Sequence, residues 1–191
     1  LLIDVSGSRN FGAVGVEKRE MIAEIAATLA FSAIQNNDKI GVMFFSDKIE
    51  KFIPPKKGRK HILFIIRELL DFQPANTGTD ISKALQYLTD AIKKRCTTFL
   101  ISDYIDDNNY QKALSIANNK HDVTAIQVYD KRDAQLPDVG LLKIKDLETG
   151  REQWLDTSSS RVRQAHNKWW YERQQQTTDY FCIGGGNASR R

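Results

Sequence analysis

The chain has 191 residues, which suits one domain. A domain of this size buries roughly 70% of its unfolded surface and needs no disulfides or structural metals to hold its core. Hydrophobic residues make up 41% and charged residues 27% of it, as in an ordinary globular protein. Its apolar runs fall far short of the ~18 residues that cross a bilayer, so we expect no membrane insertion by this fragment.

The net charge of +4 lies at one end of the chain. Residues 158–191 carry six Lys and Arg against two Asp and Glu, whereas the preceding residues are neutral overall. A basic end on a neutral body is typical of a solvated segment, so we expect no nucleic-acid partner.

The two cysteines, Cys96 and Cys182, have neither a metal-binding spacing nor a disulfide framework. They predict reduced, mostly buried thiols and a cytoplasmic protein. The chain opens without Met and inside an apolar strand, so we expect it to be truncated at its N-terminal side.

The first half of the chain predicts strands separated by amphipathic helices. Its first helix, Glu17–Asn36, has apolar residues every three or four positions, which form one core-facing stripe. Ser46 and Asp47 form a hairpin turn, so the strands on either side run antiparallel. The predicted elements are Leu1–Val5, Glu17–Asn36, Lys39–Phe45, Lys48–Ile53, Arg59–Phe72 and Asp80–Lys94.

The second half adds a near-continuous apolar strand, which is typical of the centre of a parallel sheet. A turn at residues 148–150 predicts an antiparallel hairpin, and a last helix follows, pinned to the domain by Trp169. A closing strand is predicted at Asp179–Ile183, and residues 184–191 form a flexible tail. The other elements are Cys96–Ser102, Tyr110–Asn119, Val123–Tyr129, Val139–Lys145, Gln153–Asp156 and a helix from about Ser160 to about Gln176.

Strands that alternate with helices predict right-handed crossovers in a parallel sheet. We therefore expect an α/β fold: a doubly wound, Rossmann-like, mostly parallel sheet with one antiparallel edge strand and helices on both faces. A single domain over residues 1–183, with the hairpin and helix of residues 139–176 near its end, accounts for these elements.

Three loops at the carboxyl ends of predicted strands carry oxygen-bearing side chains. Ligands of doubly wound sheets bind beyond these ends, where the strand order reverses. Since the first and fourth strands should be neighbours there, groups from distant parts of the sequence can meet at one edge. These groups are Asp4, Ser6 and Ser8, then Thr77, Thr79 and Asp80, then Ser102 and Asp103.

The chemistry of these groups favours a hard cation. No His or Cys is among them, which argues against zinc, copper and iron. Two carboxylates are too few for a calcium cage, whereas Mg²⁺ or Mn²⁺ uses one or two and keeps several waters. Without a cation, Asp4 and Asp103 would repel each other, and one of them would resist ionisation.

Three stretches of the sequence carry a resemblance to a known family. Asp-Val-Ser-Gly-Ser at residues 4–8, Thr-Gly-Thr-Asp at 77–80 and Phe-Leu-Ile-Ser-Asp at 99–103 resemble the metal-ion-dependent adhesion site (MIDAS) of von Willebrand factor type A (vWA) domains. Over about residues 1–165 the chain is also similar to a bacterial branch of uncharacterised vWA proteins, often encoded beside MoxR-type AAA+ ATPases.

The resemblance implies a non-enzymatic, metal-dependent protein-interaction module. Ser6, Ser8 and Thr79 would touch an Mg²⁺ or Mn²⁺ ion most directly, while Asp4 and Asp103 would bind it directly or through water. In the family the remaining coordination position often takes an acidic side chain of a protein partner. A AAA+ ATPase or its client is the partner that the family implies here.

Four further residues are expected at the rim of the site: Asp80, Ser102, Asp106 and Asp107. Asp80 also suits the dipole of the third helix, which Thr79 could cap. Asp106 and Asp107 also suit a solvated loop.

An enzyme is the alternative function. A Mg²⁺-dependent nuclease or phosphoryl-transfer enzyme could use Asp4, Asp103 and Asp106, because acidic groups at strand ends suit two-metal phosphate chemistry. The sequence offers this alternative no glycine-rich phosphate loop and no well-placed Lys or His as an acid or base.

Overall fold

The computed structural model describes residues 1–6, 12–76, 78–129, 134–145, 152–183 and 187–190, and only the backbone of residues 12–17, 144–145, 183 and 187–190. Its elements, in chain order, are β1 Leu2–Asp4, α1 Gly12–Gln35, β2 Ile40–Phe45, β3 Ile49–Lys56, α2 Arg59–Asp71, α3 Ile81–Ala91, β4 Thr97–Ser102, α4 Gln111–Lys120, β5 Asp122–Gln127, β6 Leu141–Lys145, β7 Glu152–Asp156, α5 Ser160–Ile183 and β8 Asn187–Arg190.

The main sheet has the strand order β3-β2-β1-β4-β5-β8. Only the pairing of β2 with β3 is antiparallel among these described strands. The short strand β1 lies at the centre, with Leu2 opposite Met43 on one side and Leu100 on the other. The predicted fold class, a mostly parallel α/β sheet with one antiparallel edge strand, is therefore confirmed.

Apolar side chains fill both faces of the sheet. Leu2 packs in a core on one face with residues of α3 and α4, whereas the next residue, Ile3, packs with residues of α1 and α2 on the other face. Both side chains are almost fully buried, and burying one of this size stabilises the fold by about 1.5–3 kcal/mol. The two cores hold β1 in place, and β1 leads directly into the candidate site.

Helix α5 is longer than predicted. It extends to Ile183, so the predicted closing strand at Asp179–Ile183 is wrong. Its buried residues follow the spacing of a helical face through to its end, where Phe181 packs against Tyr104 with ring centroids 5.7 Å apart. These residues are Trp170, Gln174, Thr177 and Phe181. The buried tryptophan is thus Trp170, whereas the predicted anchor Trp169 is exposed.

The end of the chain also differs from the prediction. Asn187–Arg190 forms β8, a parallel strand on the edge of β5, where a flexible tail was expected. Strand pairing through backbone hydrogen bonds makes little demand on side chains, so a polar sequence gives no periodic signal for it. Residues 184–186 and 191 lie outside the described part of the chain.

Smaller features agree in part with the sequence. The hairpin of β6 and β7 is antiparallel as predicted, with Leu142 opposite Leu155, while its predicted turn lies outside the described residues. Both cysteines are free, but Cys182 is exposed, so its predicted burial is wrong. In the described residues, no helix is both long and apolar enough to cross a membrane.

Candidate metal centre

The candidate site is built around Asp4, the last residue of β1. The residue is only 3% exposed, and it lies at the edge where β1 and β4 end. The Ser6 backbone N–H donates to Asp4 Oδ1 at 2.9 Å, and the Ser102 hydroxyl donates to Asp4 Oδ2 at 2.6 Å. Residues 98 positions apart are therefore joined, as the parallel pairing of β1 with β4 requires.

Asp103 follows Ser102 and is also buried. Its Oδ1 accepts a hydrogen bond from the Ile105 backbone N–H at 3.1 Å, and its Oδ2 accepts one from Lys18 Nζ at 2.9 Å. The two side chains of this ion pair are 7% exposed for Lys18 and 3% exposed for Asp103. The site thus contains a buried ammonium group next to its acidic residues.

Lys18 is the site residue that the sequence interpretation missed. It lies on α1 four residues before Ile22, and Ala26 and Ala30 continue the same buried face. A lysine in register with a buried stripe is rarely tolerated unless its charge is paired. That position was the available signal for a buried acidic partner, although it did not identify Asp103.

The electrostatics at Asp4 agree with the expectation that one carboxyl group resists ionisation. Burial, and next the negative charge of Asp103, raise the pKa of Asp4 from 3.8 to about 6. Hydrogen bonds from Ser102 and Ser6 lower this pKa but do not cancel the two larger effects. A cation at this position would favour the charged form of Asp4.

The backbone after Asp103 turns sharply. Tyr104 has a φ of 61°, in the left-handed region that side-chain-bearing residues seldom occupy. Its N–H donates to Ser102 Oγ at 3.0 Å and its hydroxyl to the Leu100 carbonyl at 2.7 Å. Ser102 is thereby held between the Tyr104 N–H and Asp4, which makes it a support for the Asp4 carboxylate.

The third predicted loop reaches the same edge through β2. The Asp80 N–H donates to the carbonyl of Ser46, which follows β2, at 2.9 Å. Asp80 is the N-cap of α3 and accepts a hydrogen bond from the Lys83 N–H at 3.0 Å, so the predicted capping role of Thr79 is wrong. Thr79 is buried, and no hydrogen bond joins it to Asp4 or Asp103 within the described residues. Thr77 lies outside those residues.

The two remaining acidic residues have structural partners. Asp106 is buried, so its predicted position in a solvated loop is wrong. Its Oδ2 accepts a hydrogen bond from the Ile81 N–H, and its Oδ1 accepts one from the Asn108 N–H, both at 2.8 Å. Burial raises the pKa of Asp106. Asp107 is exposed and paired with Arg173 on α5. Asp106 therefore faces α3.

The donor set fits a hard divalent ion that keeps part of its water. Asp4, Ser6 and Asp103 offer only oxygen atoms. The described residues contain no group of three or more His, Cys, Asp and Glu that could hold a metal, so an ion here would rest on two carboxylates and hydroxyls. Mg²⁺ and Mn²⁺ accept such a set. Ser8, the other predicted ligand of this loop, lies outside the described residues.

Several solved structures share the fold at low sequence identity. An aerotolerance-related membrane protein from Bacteroides fragilis matches 100% of this chain and 89% of its own, with a TM-score of 0.63 and 15% identity. The conserved hypothetical protein BatB from Bacteroides thetaiotaomicron matches 100% and 87%, with a TM-score of 0.61 and 16% identity.

A third structure has an occupied metal site of its own. Proximal thread matrix protein 1 from the mussel byssus, with a zinc-occupied MIDAS motif, matches 66% of this chain and 36% of its own, with a TM-score of 0.52 and 21% identity. Identities this low show the fold alone. That fold is the mostly parallel α/β fold that the sequence predicted.

Sequence relatives come from mycobacteria. Uncharacterised proteins of Mycobacterium bovis and Mycobacterium tuberculosis are each 30% identical over 152 residues, which is 78% of this chain and 48% of theirs. The chain thus spans about half the length of these curated relatives. A family model described as "Protein of unknown function DUF58" matches residues 1–177, and the chain therefore belongs to the DUF58 family.

Proposed function

We propose that this domain is a metal-dependent protein-interaction module. In this proposal a Mg²⁺ or Mn²⁺ ion binds at the edge of the sheet and keeps one position for an acidic side chain of a protein partner. The ligands would be Asp4, Ser6, Ser8, Thr79 and Asp103. The observation that carries the proposal is the buried Asp4, held by Ser6 and Ser102 close enough to Asp103 for their charges to interact.

The charge balance of the site supports a cation. Two buried carboxylates are costly unless their charges are neutralised, and within the described residues the ion pair at this site is the one that Lys18 forms with Asp103. A divalent ion would neutralise both carboxylates. Because Mg²⁺ keeps several waters in such sites, one of these can be exchanged for an oxygen of another molecule.

The partner would present an Asp or Glu side chain at an exposed position. The sequence resemblance suggests a MoxR-type AAA+ ATPase or a client of such an ATPase, and that part of the proposal rests on the resemblance alone. A bond between a metal ion and a partner's carboxylate would make binding depend on the metal, so that chelators release the partner.

A Mg²⁺-dependent nuclease or phosphoryl-transfer enzyme is not favoured. That alternative needs Asp106 beside Asp4 and Asp103, whereas the Asp106 carboxylate accepts a hydrogen bond from the N–H of Ile81, the first residue of α3. The proposed module therefore uses the metal for recognition and not for hydrolysis.

The proposal is tested with a capped peptide that contains one aspartate among glycines, titrated into the protein by calorimetry with Mg²⁺ and then with EDTA. We expect binding in Mg²⁺, loss of binding in EDTA, and no binding when asparagine replaces the aspartate. Asp4→Asn should abolish binding, whereas the matched variant Asp122→Asn, on an exposed residue at the other end of β5, should not. Equal binding in Mg²⁺ and EDTA would refute the proposal.

A further inference from the structure

A basic surface lies at the edge of the main sheet opposite the candidate metal centre. The parallel strands β2, β4 and β5 begin at this edge, and the antiparallel strand β3 ends there, with Lys56 opposite Ile40. Exposed basic residues adjoin three of these strand ends: one precedes β2, two are the last residue of β3 and the next, and three lie shortly before β4. We call these six residues the basic edge: Lys39, Lys56, Lys57, Lys93, Lys94 and Arg95.

The charges of the basic edge are not neutralised by nearby acidic groups. Among the described residues, no ion pair joins any of its six side chains to a carboxylate. Two acidic residues, Asp38 and Asp122, adjoin the same strand starts, so six positive charges face two negative ones. Burial, and next the charges of Lys120 and Arg95, lower the pKa of His121, which directly precedes β5. Positive potential is therefore concentrated at this edge of the sheet.

The width and composition of the basic edge suit a broad anionic surface. Its charges adjoin β3, β2 and β4, and β1 lies between the last two, so they are spread over about 15 Å at the usual spacing of strands. Five of the six residues are lysines. The ammonium group of lysine attracts anions as a point charge, whereas the guanidinium group of arginine is the one that recognises a single phosphate through two hydrogen bonds. The basic edge therefore favours many anionic groups in a layer over one bound phosphate.

Exposed apolar side chains lie next to the basic edge, at the start of α2. Leu63 is 51% exposed and Phe64 is 44% exposed, and both lie within about 8 Å of rise from the first residue of the helix. Lys60 shares their face of α2, because positions three and four apart are neighbours on a helix, and Arg59 precedes it. No acidic residue occurs in the sequence from 52 to 67. A helix face that joins basic to exposed apolar side chains is typical of segments that lie on a membrane.

We propose that the basic edge and the start of α2 dock on the surface of an anionic lipid bilayer, which the domain contacts and does not span. The lysines lie near the lipid phosphates, while Leu63 and Phe64 reach the boundary between head groups and acyl chains. These two side chains favour a bilayer over a nucleic acid, whose backbone offers charge and no apolar layer. The candidate metal centre lies at the other ends of the strands, roughly 20 Å away along β2, so it faces away from the bilayer. The inference goes beyond the proposed function and does not depend on it.

Docking is measured by sedimentation of the full chain, in EDTA, with phosphatidylcholine vesicles that contain about 30% phosphatidylglycerol. We expect binding at about 0.1 M NaCl, release at about 1 M NaCl, and much weaker binding to pure phosphatidylcholine, because salt screens the attraction. The double variant Lys56→Gln, Lys57→Gln should weaken binding by about thirtyfold. The matched control Lys48→Gln, Lys112→Gln removes the same charge from exposed lysines at the opposite edge, after β2 and at the start of α4, and should weaken binding by less than about threefold.

A second double variant, Leu63→Gln with Phe64→Gln, tests the apolar contact and should weaken vesicle binding by about tenfold. Equal binding to both kinds of vesicle, or equal loss in the lysine variant and its control, would overturn the inference. A DNA duplex or polyglutamate that binds as tightly as the vesicles, with no effect of the apolar variant, would also overturn it, in favour of a nucleic acid or an acidic protein. Asp4→Asn should bind vesicles as the wild type does, so a failure of metal-dependent binding and a failure of membrane docking are distinguishable.

Discussion

Lys18 Nζ lies 2.9 Å from Asp103 Oδ2, and both side chains are buried beside Asp4. The ammonium group therefore supplies positive charge in the place where a divalent cation is proposed. A metal ion that uses Asp103 must compete with Lys18 for this carboxylate, so Lys18 should set the affinity of the site.

Replacing Lys18 with methionine should raise the affinity for Mn²⁺ by about tenfold or more, because the competing charge is removed while both carboxylates remain. Without metal, the same variant should be less stable by roughly 3 kcal/mol, since Asp103 loses its buried partner. Mn²⁺ affinity is measured by electron paramagnetic resonance, and stability by urea unfolding. Lys39→Met, on an exposed lysine, is the control, and weaker Mn²⁺ binding by Lys18→Met would contradict this account.

The pH dependence of stability should report on Asp4. The pKa of its carboxyl group is raised from 3.8 to about 6 in the folded protein, so the folded state binds a proton more tightly than the unfolded chain. The ionised form of Asp4 therefore lowers the free energy of unfolding above about pH 6. The free energy of unfolding recovers as the pH falls from about 7 to about 4, because the carboxyl group becomes protonated in the folded protein first.

The comparison that isolates Asp4 is wild type against Asp4→Asn in EDTA. We expect the free energy of unfolding of the wild type, relative to that of the variant, to rise by about 2–3 kcal/mol over this range. Mn²⁺ affinity of the wild type should fall over the same range, because protons compete for Asp4. A stability difference that does not change with pH would show that Asp4 is not perturbed.

The role of Asp106 distinguishes the interaction module from the two-metal enzyme. Asp106→Ala should keep the Mn²⁺ affinity within about twofold of the wild-type value. It should destabilise the protein by about 1–3 kcal/mol, because the Ile81 and Asn108 N–H groups lose their acceptor. Asp107→Ala, one residue along at an exposed position, should change neither quantity by much. Loss of Mn²⁺ binding in Asp106→Ala would favour the enzyme instead.

The sequence predicted the central strands of the fold, and with them the meeting of Asp4 and Ser102 at one edge of the sheet, because each strand is marked by a local apolar pattern. The apolar strands at Leu2–Asp4 and Thr97–Ser102 end in polar residues, and parallel pairing alone places Asp4 next to Ser102. The effect of the Asp103 charge on the pKa of Asp4 follows from that placement.

The remaining features depend on contacts between distant residues. Lys18 and Asp103 are 85 positions apart, and the periodicity of a helix does not say which acidic residue lies opposite a buried lysine. The buried position of Asp106 depends on its hydrogen bond with the N–H of Ile81 at the start of α3, 25 positions away in the sequence. The length of α5 depends on the packing of Phe181 against Tyr104, and a short apolar stretch near a chain end suits a strand equally well.

The binding of a cation by Asp4 is tested most directly by thermal unfolding in EDTA and then in excess Mg²⁺ or Mn²⁺. At about a hundred times the dissociation constant, we expect the melting temperature of the wild type to rise by about 5–10 °C. The rise should vanish in Asp4→Ala and persist in Asp122→Ala. A wild-type melting temperature that neither metal changes, or an equal rise in Asp4→Ala, would contradict the proposed metal centre.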